Sequence, residues 1–162
     1  MDGWLIGRML VLLALANGTP LLVNAVLGKR WAFPLDGGVR LGDGQPLFGG
    51  SKTIRGIGSA VVATALGGEV VGWGWKVGAL VGLAAMGGDL FSSFVKRRLR
   101  LVAGSRATGL DQIPESLFPL LACWRLVPMR VVEMAVVVGL FFAGEVVLSV
   151  VFFRLHLRER PY

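Results

Sequence analysis

Asp89, Ser93 and Lys96 stand four and three residues apart in the stretch GGDLFSSFVKRRLRLVAGSRATGLDQIPESL, Gly87–Leu117. At about 100° per residue they fall, with Arg100, within about 40° of one line on a helix, whereas Arg98 points the opposite way. A carboxylate, a hydroxyl and cations on one stripe suit a phosphate held together with a hard cation. The plainer alternative is a structural Asp89–Lys96 ion pair. Arg98 reads as a long side chain snorkelling to lipid headgroups.

Asp111 and Glu115, further along the same stretch, share a helical face at i and i+4. Carboxylates on neighbouring segments match Mg²⁺, which takes one or two of them and completes its shell with water and phosphate oxygens. Upstream, Leu35–Gly56 reads LDGGVRLGDGQPLFGGSKTIRG. GGSKT is not a phosphate-binding P-loop, since Ser51 separates Gly50 from Lys52 and Pro46 takes the place of the first glycine. Its parts still suit a phosphate: Gly49 and Gly50 free the backbone, Lys52 and Arg55 bring charge, and a helix N-terminus begins near Thr53. Alone, this loop reads equally well as a basic anchor for the helix that follows.

The elements that position these residues are those of a membrane protein. Of the 162 residues, 54% are hydrophobic and 17% charged, and the mean hydropathy is +0.69, outside the range of an ordinary soluble domain. The 24 glycines lie mostly inside apolar runs, where small residues let helices approach closely. Five spans are expected, at about Trp4–Leu27, Ile54–Val71, Val77–Val95, Leu110–Val127 and Val131–Phe153, each near the roughly 20 residues a bilayer requires. Asn17-Gly18-Thr19-Pro20 interrupts the first span. GWGWK makes the second and third a tight hairpin, and Pro114 and Pro119 break the fourth, as backbone lining a cavity does. The expectation is one transmembrane domain over residues 1–162, all-α. ALA at Ala14–Ala16 resembles a signal-peptidase site, but Asp2 and a solitary Arg8 speak against a signal peptide.

Charge distribution gives the orientation. Lys29, Arg30, Arg40, Lys52 and Arg55 fall in one loop, Lys96, Arg97, Arg98, Arg100 and Arg106 in another, and Arg154, Arg158 and Arg160 in the tail. That leaves Arg8, Lys76, Arg125 and Arg130 for the other side, so both loops and the C-terminus are expected in the cytoplasm. The net charge of +7 is explained by these loops facing anionic headgroups, with no call for nucleic acid. An unpaired carboxylate at mid-membrane depth costs about 2.5–3.5 kcal/mol, so Asp89 is expected to face the bundle interior or a watery cavity. Glu145, in the fifth span, has no evident cation at its depth and is expected to hydrogen-bond inside the bundle. Cys123 is solitary and reads as a small buried side chain. His156 has no neighbour in sequence with which to do chemistry.

GDLFSSFVKRRL followed by GLDQIPESL, with LFGGSKTIRG upstream, resembles the CDP-archaeol synthase family, a branch of the membrane CTP:phosphatidate cytidylyltransferases. ANGTP at Ala16–Pro20, LDGG at Leu35–Gly38 and the tail LRERPY extend the likeness over nearly the whole chain. The resemblance implies five transmembrane helices, with two cytoplasmic loops forming an active site. It implies transfer of CMP from CTP to a membrane lipid phosphate, with Mg²⁺, releasing pyrophosphate. By position it gives Asp89 and Asp111 metal and triphosphate roles. Lys52, Thr53, Arg55, Ser93, Lys96 and Arg97 are expected to contact phosphate or nucleotide, with Lys96 counted beside the two aspartates as catalytic. Asn17 and Asp36 also match motif positions. Ile54 stands where members carry a bulky aromatic, and Glu145 near where they carry a histidine; both bear on the lipid more than on the reaction. A CTP-dependent polyprenol kinase and a non-catalytic subunit binding anionic lipids are the alternatives.

Overall fold

The computed structural model describes residues 1–102, 105, 107 and 109–154, with 149–154 as backbone alone. Arg106 and the tail that carries His156, Arg158 and Arg160 lie outside the described residues. Five helices follow in order: α1 Gly3–Leu27, α2 Ile54–Val70, α3 Trp75–Arg98, α4 Gln112–Cys123 and α5 Val131–Arg154. Among the described residues there is no strand, only isolated bridges pairing Pro34 with Thr53 and Arg40 with Pro46. The all-α membrane architecture expected from the apolar runs is the one observed.

α1, α3 and α5 are long and apolar enough to cross a membrane. α2 has 17 residues, about 26 Å of helix, and α4 has 12, about 18 Å against a hydrocarbon core of roughly 30 Å. α4 therefore ends well inside the expected span Leu110–Val127, since Trp124–Leu126 turn away from the helix axis. α1 runs unbroken through Asn17–Pro20, contrary to the expected interruption. Pro20 removes one N–H, the one that would serve the Ala16 carbonyl, but the helix continues on both sides of it.

Asp2 caps α1, accepting from Trp4 N (3.0 Å) and Leu5 N (3.3 Å), and its own N–H donates to Glu133 Oε1 at 2.8 Å. Glu133 also accepts from Arg130 N at 3.0 Å, so the N-termini of α1 and α5 are tied at one end of the bundle. The core between them is Met9, Leu12 and Leu13 of α1, Val81 of α3, Leu120 and Cys123 of α4, and Val137 of α5. Cys123 is buried there, as expected.

Glycine brings α2 and α3 together. A Cβ on Gly78 would stand 2.1 Å from Thr64 O, and one on Gly82 the same distance from Thr64 Oγ1. The α2–α3 connection closes through Gly72 and Gly74, both at positive φ, with Glu69 Oε1 accepting from Trp75 N at 2.8 Å. α3 ends at Arg98, and Arg100 adopts φ 57° beyond it, exposed. Arg100 therefore does not extend the Asp89–Ser93–Lys96 stripe: the periodicity that placed it there stops two residues short.

Candidate functional site

The end of the bundle opposite the Glu133 tie holds a cavity of about 500 Å³. Lys52, Thr53, Arg55, Asp89, Ser93, Lys96, Arg97 and Asp111 all line it. They come from the first loop, the start of α2, the second half of α3 and the entry to α4.

The first loop is folded by its own backbone and by Asp36. Leu35 N donates to Lys52 O at 2.8 Å and Ile54 N to Phe33 O at 3.1 Å, so the two ends of the loop run antiparallel. Asp36 Oδ1 accepts from Gly38 N (3.0 Å), and Oδ2 accepts from Phe48 N (3.0 Å) and Gly49 N (2.9 Å). Burial pushes this carboxyl up, but the N–H groups of Gly49, Phe48 and Gly38 outweigh it and hold it below the usual carboxylate range. Asp36 does not itself line the cavity; it shapes the turn that presents Lys52.

Lys52 reaches across to α3, its ammonium 2.6 and 2.7 Å from the two oxygens of Asp89. Thr53 caps α2, its hydroxyl accepting from Gly56 N at 3.1 Å. Arg55 donates to Gly28 O (3.0 Å), to Asn24 Oδ1 (3.1 Å) and to Arg30 O, binding the end of α1 to the start of α2. Its guanidinium thus borders the cavity while engaged with carbonyl groups.

The structural alternative for Asp89, a pair with Lys96, is not what forms. Two helical turns, about 10 Å of rise, separate them, and each finds a closer partner on another segment. Lys96 Nζ lies 2.7 Å from Asp111 Oδ1, with their side chains 8% and 13% exposed. It also donates to Ser105 O at 2.8 Å, and Asp111 Oδ2 accepts from Ala107 N at 3.0 Å. Arg97 is buried, with Nη2 donating to Val102 O at 2.8 Å and Nε without a partner.

Arg98 also departs from its expected role. It takes Asp43 in a two-pronged contact, Nη1 to both oxygens at 2.7 Å, and donates through Nη2 to Pro46 O at 2.7 Å. It fastens the first loop to the end of α3 rather than reaching for lipid. Three side chains escaped sequence reasoning. Ser92 Oγ sits 2.9 Å from Gly88 O and 2.7 Å from Leu110 O, holding the approach to α4 against α3. Gln112, buried at the start of α4, accepts from Gly109 N at 2.7 Å. Glu115, read only as the neighbour of Asp111, is buried on α4 and lines the cavity together with Asp89, as does Glu145 of α5.

The donor set fits a hard divalent cation. Asp89 and Asp111 are anionic oxygen ligands on neighbouring segments, the first paired with Lys52 and the second with Lys96. Among the described residues no group of three His, Cys, Asp or Glu side chains forms a closed metal cage. The chain would supply one or two carboxylates and leave the other positions to water and phosphate oxygens, the habit of Mg²⁺.

Five helices bury paired acids and bases in a cavity at one end of an all-α bundle, three of them long and apolar enough to cross a membrane. Residues 9–162 match the family described as CarS-like, CDP-archaeol synthase, and the chain belongs to that family. The CDP-archaeol synthase of Sulfurisphaera tokodaii is 33% identical over 135 residues, 80% of this chain and 81% of that one. That of Methanopyrus kandleri is 50% identical over 86 residues, 49% of this chain and 50% of the other. The chain matches about half the length of the M. kandleri relative and, at 37% identity, half of the one from Thermofilum pendens. A solved intramembrane enzyme for archaeal membrane lipid biosynthesis superposes with a TM-score of 0.73 at 26% identity, covering 86% of this chain and 91% of that one.

Proposed function

We propose that this chain transfers the cytidylyl group of CTP to a membrane lipid phosphate, yielding a CDP-lipid and pyrophosphate. The observation that carries this reading is that all eight expected residues, drawn from four segments, meet on one cavity. The names of the relatives favour archaeol-type chains on the lipid.

An oxygen of the lipid phosphate attacks the α-phosphorus of CTP. The bond from that phosphorus to the bridging oxygen breaks, and its electron pair leaves with pyrophosphate. Both reactants are highly anionic, so the site's task is to neutralise and align them. Lys52, Lys96 and Arg97 supply fixed positive charge around a cavity roofed by the loop that Asp36 and Arg98 hold. Mg²⁺ held by Asp89 and Asp111 would supply further charge to the triphosphate. No general base is called for, since a phosphate monoester is largely ionised at neutral pH. The half-buried Lys52–Asp89 pair, 21% and 19% exposed, keeps its cation poised for an incoming phosphate.

Both loops belong to one face of the membrane in this reading. Lys52–Asp89 and Arg98–Asp43 join the first loop to the end of α3, and their basic residues favour the cytoplasm. Cysteine-accessibility labelling at Lys29 and Arg100 should find both on the cytoplasmic side; opposite faces would end the shared-site reading.

The deciding experiment incubates the purified chain with labelled CTP, Mg²⁺ and, in separate reactions, a panel of ether- and ester-linked lipid phosphates and an unphosphorylated polyprenol. A CDP-lipid with released pyrophosphate is expected. Phosphorylated polyprenol and CDP would instead establish a kinase. Lipid binding with no turnover would establish a non-catalytic subunit.

A further inference from the structure

The last turn of α3 clamps the loop that follows it and leaves two polar groups unspent. Lys96 Nζ donates to Ser105 O and Arg97 Nη2 to Val102 O, each at 2.8 Å. Ser105 N donates to Val102 O at 2.9 Å, so backbone alone closes the turn that carries the serine. One carbonyl, that of Val102, thus accepts from both residues and sets the Arg97 guanidinium beside Ser105. The Ser105 hydroxyl takes no part in the turn. Its Oγ is buried and, among the described residues, has no hydrogen-bond partner; the same holds for Arg97 Nε.

Both residues line the cavity, and Arg97 is only 2% exposed. Buried donors in native proteins are nearly always satisfied, because leaving one unpaired costs its full desolvation. The occupant of the cavity is therefore expected to bring acceptor oxygens to this wall. Arg97 Nε can only donate, and a serine hydroxyl rotates to donate as needed. The fixed charge of the guanidinium favours an anionic acceptor over a neutral one, and phosphate offers several such oxygens at once.

We propose that Ser105 contacts substrate: its hydroxyl and Arg97 Nε together bind the oxygens of a phosphate group, from the terminal phosphates of CTP or from the lipid phosphate. This rests on the cytidylyltransferase reading for the identity of the phosphates, while the pair of unspent buried groups stands without it. The opposing account is structural: Arg97 only ties down the loop, and the serine hydroxyl binds water. Ser105→Ala separates the two, because it removes one oxygen and leaves both backbone bonds of residue 105 in place. Ser105→Thr is the companion variant, since threonine restores the hydroxyl.

The test measures equilibrium binding of CTP, inorganic pyrophosphate and a diether glycerol phosphate to the purified full chain in detergent with Mg²⁺. Steady-state transfer, with each substrate varied in turn, and melting of the free protein run alongside. Ser105→Ala should weaken binding of one phosphate source roughly 10- to 100-fold, the scale of one hydrogen bond to a charged group. The melting temperature should stay at the wild-type value, and Ser105→Thr should recover most of the loss. Weakened CTP and pyrophosphate binding, with a matching rise in KM for CTP, assigns the pair to the terminal phosphates. Weakened binding of the diether glycerol phosphate alone, with KM rising for the lipid, assigns it to the lipid phosphate. Affinities within threefold of wild type for all three probes overturn the proposal. A threonine variant no better than alanine does so too, since loop shape and not the hydroxyl would then be at stake. A wild type that binds these probes through Ser105 but forms no CDP-lipid would overturn the transferase reading alone.

Discussion

Gly88 of α3 lies against the Pro114 carbonyl of α4 so closely that an added Cβ would stand 2.2 Å from its oxygen and 2.4 Å from its carbon. Both atoms are backbone and cannot rotate aside. Gly88→Ala should therefore destabilise the bundle by about 1–3 kcal/mol, the usual cost of overpacking, despite alanine's advantage of roughly 1 kcal/mol within a helix. Gly87 is the control, since a Cβ there meets nothing within 4 Å. Gly87→Ala should leave stability unchanged or slightly raised. Chemical unfolding in detergent measures both, and equal effects would refute the close approach.

The same approach explains what could and could not be read from the amino-acid sequence. The five helices follow from apolar runs, and the alignment of Asp89, Ser93 and Lys96 follows from helical period, because both are local properties. Arg100 fitted the same period, but α3 ends before it. The pairings were beyond reach for a different reason. Lys52 and Asp89 are 37 residues apart, and their meeting depends on how the loop after α1 folds over α3. Glu115 was visible beside Asp111, yet its place on the cavity that Asp89 also lines depends on the glycine that lets α4 come down on α3. Pro20 looked like a break because proline's low helix propensity is a local signal, and a long helix can carry one missing N–H without ending.

Lys96 and Arg98 should differ sharply on substitution. Lys96 is buried against Asp111, whereas Arg98 grips Asp43 from a partly exposed position. Lys96→Ala should remove most CTP transfer. Arg98→Ala should leave kcat close to wild type, raise KM for CTP roughly 2- to 5-fold and speed proteolysis of the first loop. An exposed pair is worth about 0–1 kcal/mol, so overall stability should hardly move. Limited proteolysis with steady-state kinetics checks this, and equal losses of kcat would count against the division of roles.

Asp36 gives the first loop an acid limit. Its carboxyl titrates below the usual range in the folded loop because three backbone N–H groups bind the anion. A group depressed on folding stabilises the fold above its unfolded value of about 3.9, and that contribution fades as pH falls through the folded value. Asp36→Asn should cost about 1–3 kcal/mol at neutral pH, and its deficit relative to wild type should shrink below about pH 4. A deficit that stays constant from pH 7 to pH 3 would show that the charge does not organise the loop.

The aspartates present the harder separation, because each is both a candidate ligand and half of an ion pair. Asp89→Asn strands Lys52, and Asp111→Asn strands Lys96. Removing one partner of a buried pair costs up to about 3–5 kcal/mol, with the greater loss expected at the less exposed Asp111–Lys96. CTP transfer should fall by roughly 10²-fold or more in either variant, the scale of losing one electrostatic contributor to a transition state. Lost activity alone would thus fit a structural pair as well as a metal ligand. The double variant Lys52→Met with Asp89→Asn distinguishes them, since replacing both charges removes the stranded one and should return much of the stability. It should remain inactive, because neither a hard ligand nor a phosphate cation has been restored. Thermal stability and CTP turnover are measured on the same preparations. If the double variant regains stability and turnover together, Asp89 is a structural acid and the metal assignment is wrong.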